Sequence, residues 1–234
     1  MKAIIMAAGK GSRISGKIGD IPKSMLEINS KPIIRITVEM LISLGITPIV
    51  CTGYKSNVIK EALGSLDVRF YHNPFFDVTN NIASLWFARS EIDDDIILLS
   101  ADLVFQQEIL EKLMNQDYPF TMAIDKSRIL DGDFFFKLDD NDCVLDFSPE
   151  MPVNERSCEY MGLSKINRKV AGIFLNRLDN MIEAQKHSLY YENIMLSFIN
   201  DKKLIVNTVD VSEYKWREID FYNDYQKALK QFAN

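Results

Sequence analysis

Short apolar runs punctuated by turn residues fill the first hundred positions of this chain. Residues 2–8 (KAIIMAA) are apolar at nearly every position and stop at Gly9; residues 47–52 (TPIVCT) and 96–100 (IILLS) repeat the pattern. Unbroken apolar runs of this length predict strands buried on both faces. Residues 68–71 predict a shorter strand. Between them, Ile33, Ile34, Ile36, Val38, Leu41, Ile42 and Leu44 predict a largely buried helix that opens at Pro32 and ends at Gly45. Residues 57–63 predict a second helix, and Thr79, Asn80 and Asn81 are good caps for a third over 83–89. Strands alternating with helices predict an α/β fold, a parallel sheet covered on both faces.

Beyond residue 118 the pattern changes. Strands are expected at 120–125, 134–138, 144–147, 170–175 and 204–209, and helices at 177–186, 191–200 and 222–232. Asp139, Asp140, Asn141 and Asp142 read as a solvated turn, since Asp and Asn tolerate left-handed backbone. Asp93, Asp94 and Asp95 read the same way at the edge of a strand. There is no internal repeat and no low-complexity linker, so the 234 residues are expected to form one domain.

Composition narrows the function. A hydrophobic share of 47% supports a large core, and no apolar stretch approaches the roughly 18 residues that cross a bilayer. Cys51, Cys143 and Cys158 lack C-x-x-C spacing, which suggests neither disulfide framework nor zinc site. Together these predict a cytoplasmic protein without membrane attachment. A net charge of −6 and the lack of a basic stripe argue against nucleic acid as the main partner. An acidic chain that handles a polyanion must concentrate its positive groups locally.

Such a place exists near the start. Gly9 and Gly11 allow a tight turn whose N–H groups approach phosphate oxygens, and Arg13 and Lys23 add mobile positive charge. Ile14 stands where a dinucleotide fingerprint needs its third glycine, and no GKS or GKT closes a P-loop. A structural turn alone would explain the glycines but not the spaced Arg and Lys. AAGKGSR followed by IPKSML resembles the signature of the nucleotidyltransferase superfamily that makes activated sugars and headgroups. The resemblance implies a Rossmann-like three-layer fold with a mixed, mainly parallel sheet and a small inserted β-rich acceptor lobe. Residues 1–118 would be the nucleotide half and 119–234 the acceptor half with its C-terminal helix. It also implies that Met6, Ala8, Gly9, Gly11, Lys23, Thr79, Asn81, Ser84 and Ala101 line the nucleotide site.

Two carboxylates are candidates for the chemistry. Asp102 follows the strand IILLS, where ligands collect in open α/β sheets, and suits a hard cation; the alternative is a cap for a helix near Gln106. Asp220 lies in KWREID before the last helix, where capping is again the alternative; if extended, Trp216, Glu218 and Asp220 share one face. W-x-E-I-D resembles the family's second metal site, so Asp102 and Asp220 would hold one Mg²⁺ on the α-phosphate. The run NNIASL is similar to one in the CTP-using branch that includes CTP:phosphocholine and CTP:2-aminoethylphosphonate cytidylyltransferases. The resemblance thus implies a Mg²⁺-dependent transfer of CMP from CTP to a small phosphate or phosphonate, releasing pyrophosphate, for surface-polymer decoration. An acceptor phosphate is already an anion and needs no general base, which fits the absence of any triad context around His72 and His187.

Lys126 is a candidate for the acceptor's phosphate, Glu159 or Glu192 for an amine, and Trp216 with Tyr190 or Tyr191 for an aromatic wall. A chain with 14 Phe and 9 Tyr places most of its aromatics in the core, which is the competing account of that wall. The rival functions are a sugar-1-phosphate uridylyl- or thymidylyltransferase and a non-catalytic nucleotide-binding subunit. Monomer and homodimer are both open.

Overall fold

The computed structural model describes residues 1–130, 132–201 and 204–233. The first half runs β1 (Lys2–Ala7), α1 (Ser12–Ile18), the two-residue strands β2 (Glu27–Ile28) and β3 (Lys31–Pro32), and α2 (Ile33–Ser43). It continues through β4 (Thr47–Thr52), α3 (Ser56–Leu63), β5 (Arg69–His72), α4 (Asn81–Phe87), β6 (Ile96–Ser100), β7 (Leu103–Phe105) and α5 (Gln107–Met114). The second half runs β8 (Phe120–Asp125), β9 (Phe135–Leu138), β10 (Val144–Ser148), β11 (Cys158–Ile166) and α6 (Arg168–Glu183). It ends with α7 (Glu192–Asn200), β12 (Val206–Asp210), β13 (Trp216–Glu218) and α8 (Tyr222–Gln231).

Nine strands make one sheet in the order β10-β9-β11-β6-β1-β4-β5, with β8 on the other edge of β11 and β12 beyond it. β1 pairs in parallel with β4 and β6, and β4 with β5, as buried βαβ units require. The mixed character enters through β11, which is antiparallel to β6, β8 and β9. Side chains alternate between the two faces of a strand. On β1, Ile4 packs with Ile49, Leu98, Ile82 and Phe174 on the face covered by α4 and α6. Ala3, Ile5 and Ala7 pack with Val50, Leu99, Val38 and Ile59 on the opposite face, under α2 and α3.

β11 holds the two halves together. Ser164 pairs with Leu98 of β6 on one edge and Met122 of β8 on the other, while Glu159 pairs with Phe135 of β9 and Asp125 of β8. One edge of β11 therefore serves β9 at its start and β6 at its end. Between them the sheet forks at Gly162, where the register with β8 shifts and φ is +82°. The second half is thus a continuation of one sheet, joined to β6 by hydrogen bonds.

One sequence expectation needs correction, and one strand was not expected at all. Residues 170–175 are not a strand but the first turns of α6, capped by the Asn167 side chain, which accepts from Lys169 N at 3.0 Å. Val170, Ala171, Phe174, Leu178 and Met181 are its buried positions, a helical period that a six-residue window cannot display. Residues 158–166 form an unpredicted strand. All nine are buried, including Glu159, Ser164 and Lys165, and Lys165 Nζ donates to the carbonyls of Met114 and Gln116. Polar residues at interior positions hide a strand from any reading of periodicity.

A third apolar cluster joins Ile14 of α1, Ile33, Val104 of β7, Ile219 and Ala228 of α8. It seats the helix after the glycine turn against the C-terminal helix, and so brings residues 13 and 220 together. At the fork, Gly162→Ala forces left-handed backbone on a residue with a Cβ and places that Cβ 3.4 Å from Ser100 Oγ. The expected loss is about 1–2 kcal/mol in urea denaturation, with unchanged far-UV circular dichroism.

Candidate active site

The C-terminal ends of β1 and β6 open into a cavity walled by Met6, Ala8, Gly9 and Gly11 on one side and Thr79, Asn81, Ser84 and Ala101 on the other. Lys23 and Asp102 close its far end. Every residue expected at the nucleotide site lies in this one cavity, joined by Ser24, Phe76, Asn80 and Ser100. Gly11 has φ +64°, and a Cβ there would sit 2.9 Å from Lys23 Cβ, so glycine is required by the turn and by the lysine crossing it. A Cβ on Gly9 would meet nothing within 4 Å, which leaves the turn's face open toward the cavity. Asn80 caps α4 by accepting from Asn81 N at 2.8 Å, and Asn81 Oδ1 accepts from Tyr191 N at 2.7 Å. Thr79 and Ser84 are both tied to Asn73, whose Nδ2 lies 3.1 and 3.0 Å from their hydroxyls.

At the end of this cavity three charges meet. Lys23 Nζ bridges Asp102 Oδ2 and Asp220 Oδ1, the latter at 2.7 Å, and all three side chains are 15% exposed. Neither aspartate is a helix cap: Gln106 occupies that position before α5, and Phe221 before α8. The strand pairing explains the meeting. β13 runs antiparallel to β7, placing Glu218 opposite Leu103, and Ile219 N donates to the Asp102 carbonyl at 3.2 Å. Burial disfavours the ammonium of Lys23, but Asp102 and Asp220 outweigh it and hold its pKa above that of an ordinary lysine. Arg13 Nη1 reaches Asp220 Oδ2 at 3.1 Å and Asp133 Oδ2 at 3.5 Å.

Carboxylates outnumber cations here. Asp133, Glu218 and Asp220 bring oxygens within 4.8 Å of one another. A hydrogen bond to Asp220, together with burial and the charge of Asp220, raises the Asp133 pKa to about 7; burial of Asp220 is outweighed by that hydrogen bond and by Lys23 and Arg13, which lower it. Desolvation and the charges of Asp102 and Asp220 push Glu218 well above the carboxylate range. Asp102 Oδ1 is buried with no hydrogen-bond partner among the described residues. An orphaned buried carboxylate oxygen beside a concentration of oxygen donors fits a hard divalent cation on Asp102 and Asp220.

A second chamber opens at the fork, across Asn81 and Ser100 from the first. Its walls hold four carboxylates (Asp133, Glu192, Glu218, Asp220), one guanidinium (Arg13) and three aromatic rings (Phe134, Tyr160, Tyr190). Tyr190 stands edge-on to Phe134 with centroids 6.1 Å apart. Glu192 is buried, its Oε2 has no partner among the described residues, and desolvation pushes its pKa up to about 7.

The other acceptor candidates lie outside this chamber. Lys126 pairs with Asp142 at 2.7 Å. Trp216 is 1% exposed and donates Nε1 to Asp125 Oδ2 at 2.8 Å, while Tyr191 is fully buried with its hydroxyl 3.1 Å from that of Tyr160. The aromatic surface at the fork is therefore Phe134, Tyr160 and Tyr190, with Trp216 packed beneath a neighbouring cleft that Glu159 also lines. Sequence reasoning did not single out Asp133, Phe134 or Tyr160. Glu218 carried a signal, since it alternates with Trp216 and Asp220; Asp133 sits in a turn with no periodicity to mark it.

Residues 3–130 match the family described as the MobA-like NTP transferase domain. The chain is 29% identical to CTP:phosphoglutamine cytidylyltransferase of Campylobacter jejuni, over 99% of this chain and 100% of that one. It is 26% identical to choline-phosphate cytidylyltransferase of Streptococcus pneumoniae, over 100% of this chain and 99% of the other. The solved structure of CTP:phosphocholine cytidylyltransferase from Streptococcus pneumoniae superposes with a TM-score of 0.78, covering 98% of this chain and 97% of that one at 22% identity. The inositol-1-phosphate CTP transferase from T. maritima superposes with a TM-score of 0.78 at 16% identity, over 99% and 95%. The mixed, mainly parallel sheet with flanking helices is the fold these structures share.

Glu192 generates a pH prediction. Its folded pKa, about 7, lies above the ordinary 4.5, so the native state binds the proton more tightly than the unfolded state. The stability it contributes is complete below pH 4.5 and is lost as pH rises through 7. Glu192→Gln should therefore be more stable than wild type at pH 8, by on the order of 1–3 kcal/mol in urea denaturation, with the gain gone by pH 4.5. A gain independent of pH would show that the carboxyl is not held neutral.

Proposed function

The chain belongs to the MobA-like NTP transferase domain family and is a nucleotidyltransferase; on that premise we propose that it transfers CMP from CTP to a small phosphate or phosphonate carrying an ammonium group, with release of pyrophosphate. The observation that carries this is the junction of Lys23, Asp102 and Asp220 at the end of a glycine-lined cavity, next to an acidic and aromatic chamber. Two curated relatives aligned along their whole length are named as cytidylyltransferases acting on phosphorylated compounds. The second chamber has the chemistry for an amine. Aromatic faces attract cations, and the carboxyl groups of Asp133, Glu192, Glu218 and Asp220 offer oxygens that accept from an ammonium.

The residues divide the work by position. The turn at Gly9 and Gly11 presents backbone N–H groups to the triphosphate at the start of α1. Lys23 crosses that turn to reach the α-phosphate, and Arg13 holds the departing pyrophosphate. An acceptor oxygen, already ionised, attacks the α-phosphorus; the new P–O bond forms as the bond to the β-phosphate oxygen breaks, and the electron pair leaves with pyrophosphate. No general base is required, so the rate comes from alignment and charge neutralisation. Asp102 and Asp220 would hold Mg²⁺, which when bound neutralises charge on the α-phosphate. Asn81, bonded to Tyr191 N beside Glu192, fixes the boundary between the two chambers.

We assign residues 1–118 to nucleotide binding and 119–234 to the acceptor. A CMP-activated headgroup is a donor for onward transfer to a surface polymer, the use we propose for the product. We place the reaction in the cytoplasm, where CTP is available. No helix among the described residues is long and apolar enough to cross a membrane.

Pyrophosphate release measured with each nucleoside triphosphate against a panel of phosphorylated amines and sugar 1-phosphates should be fastest with CTP and an amine. Activity with UTP and glucose 1-phosphate alone would refute the assignment. Asp102→Asn and Asp220→Asn should each lower kcat at least about 100-fold with a retained fold by circular dichroism, and Lys23→Ala should do so by a similar factor. Chelation with EDTA should stop turnover and Mg²⁺ should restore it; turnover that persists in both aspartate variants would refute the metal assignment.

A further inference from the structure

We propose that Asn73 is a positioning residue for base selection: its amide fixes the Ser84 hydroxyl as a donor and the Thr79 hydroxyl as an acceptor toward a cytosine. The inference rests on the reading that CTP occupies the glycine-lined cavity, and it assigns the Thr79 and Ser84 wall of that cavity to the base edge. Asn73 itself is not part of the lining. It follows β5, the edge strand of the parallel set, and is 1% exposed, with its backbone N–H donating to the Thr52 carbonyl at 2.8 Å.

The orientation of the amide follows from the chemistry of its neighbours. The N–H of Phe75 can only donate, and it lies 2.9 Å from Asn73 Oδ1, so the oxygen end of the side chain is fixed there. Nδ2 therefore faces the two hydroxyls, 3.1 Å from Thr79 Oγ1 and 3.0 Å from Ser84 Oγ, and both of its hydrogens are used. Thr79 has one proton, which goes to the Phe75 carbonyl at 2.8 Å. Toward the cavity Thr79 can only accept. Ser84 is the reverse. Its oxygen accepts from Asn73, and among the described residues no group takes its proton, the Asn80 carbonyl one helical turn back included. Ser84 is 3% exposed and lines the cavity, which leaves the cavity as the place where that proton finds an acceptor.

An acceptor beside a donor reads one edge of a pyrimidine. Cytosine presents its N4 amino group, a donor, next to N3, an acceptor; uracil presents O4 and N3–H, the same two places with the roles exchanged. A wall fixed as Thr79 acceptor and Ser84 donor pairs with cytosine at both places. Against uracil it sets acceptor on acceptor and donor on donor. A free hydroxyl would rotate to suit either base, and the Asn73 amide removes that freedom. The buried polar groups of such a wall go unpaired with the wrong base, which is how a site rejects a ligand of nearly identical shape. The selectivity thus belongs in part to a residue that does not touch the nucleotide.

Calorimetric titration of the full chain with CTP and with UTP, in Mg²⁺ and without an acceptor, reads the selectivity directly. Wild type should bind CTP at least about tenfold more tightly than UTP. Asn73→Asp offers only acceptors, so Ser84 donates to it and turns a lone pair to the base; the preference for CTP should fall at least about tenfold, by weaker CTP binding and tighter UTP binding together. Asn73→Ala buries no charge and covers the case in which the aspartate variant fails to fold; by freeing both hydroxyls it should bring the ratio of affinities toward one. Ser84→Ala should lose affinity for CTP and not for UTP. Equal losses for both nucleotides in the Asn73 variants, or an unchanged ratio in Ser84→Ala, would make Asn73 a purely structural residue and overturn the proposal while leaving CMP transfer untouched. Wild type with no preference for CTP would overturn the reading of the reaction together with the proposal.

Discussion

The ammonium of Lys23, held between Asp102 and Asp220, is the constraint around which this molecule is organised. The three groups come from the segment after the first strand, the end of the fourth strand of the parallel set, and the approach to the last helix. Half-buried charges of one sign would repel strongly in such a place, and burial alone would discharge the lysine. Each side of the triad is therefore necessary to the other. The pairing of β13 with β7, the hydrogen bond from Ile219 to the Asp102 carbonyl and the apolar contact between α1 and α8 serve to bring these side chains within bonding distance.

From that junction the rest of the site is set by topology. The parallel strands β1 and β6 end at the glycine-lined cavity, as ligand sites in open α/β sheets do. β11 then carries the sheet onward but forks at Gly162, and the space left by the fork is the acidic and aromatic chamber. The glycine-lined cavity and the acidic, aromatic chamber are thus adjacent because one long strand serves two partners on the same edge. Asp102, Asp133, Glu218 and Asp220 face this shared boundary, where the proposed reaction between two anions would have the greatest need of compensating positive charge.

Much of this was legible in the residues, and unevenly. The strands at 47–52, 96–100 and 120–125 fall where their apolar runs end, because burial on both faces leaves an uninterrupted signal. The glycine-lined cavity was readable because Gly9, Gly11 and Lys23 lie close together in the chain and, with Arg13, resemble a known signature. The second half was harder to read for two physical reasons. β11 places Glu159, Ser164 and Lys165 in the interior, where their polar partners come from distant segments. The acidic and aromatic chamber is assembled from Asp133, Phe134, Tyr160, Tyr190 and Glu192, scattered over four elements and turns, so no local spacing announces it. Trp216 shows the converse. Its sequence context suggested a ligand wall, but an indole hydrogen-bonded to buried Asp125 does structural work.

The central claim is that the Lys23, Asp102 and Asp220 junction is where the α-phosphate of CTP meets the acceptor. A crystal structure of the protein with CTP and Mg²⁺ tests it most directly. The triphosphate should lie over the turn at residues 9–13, with the α-phosphate within hydrogen-bond reach of Lys23 and the cation on Asp102 and Asp220. The chamber at Phe134 and Tyr190 should remain open. A nucleotide whose base fills that chamber, or whose α-phosphate lies away from Lys23, would contradict the claim.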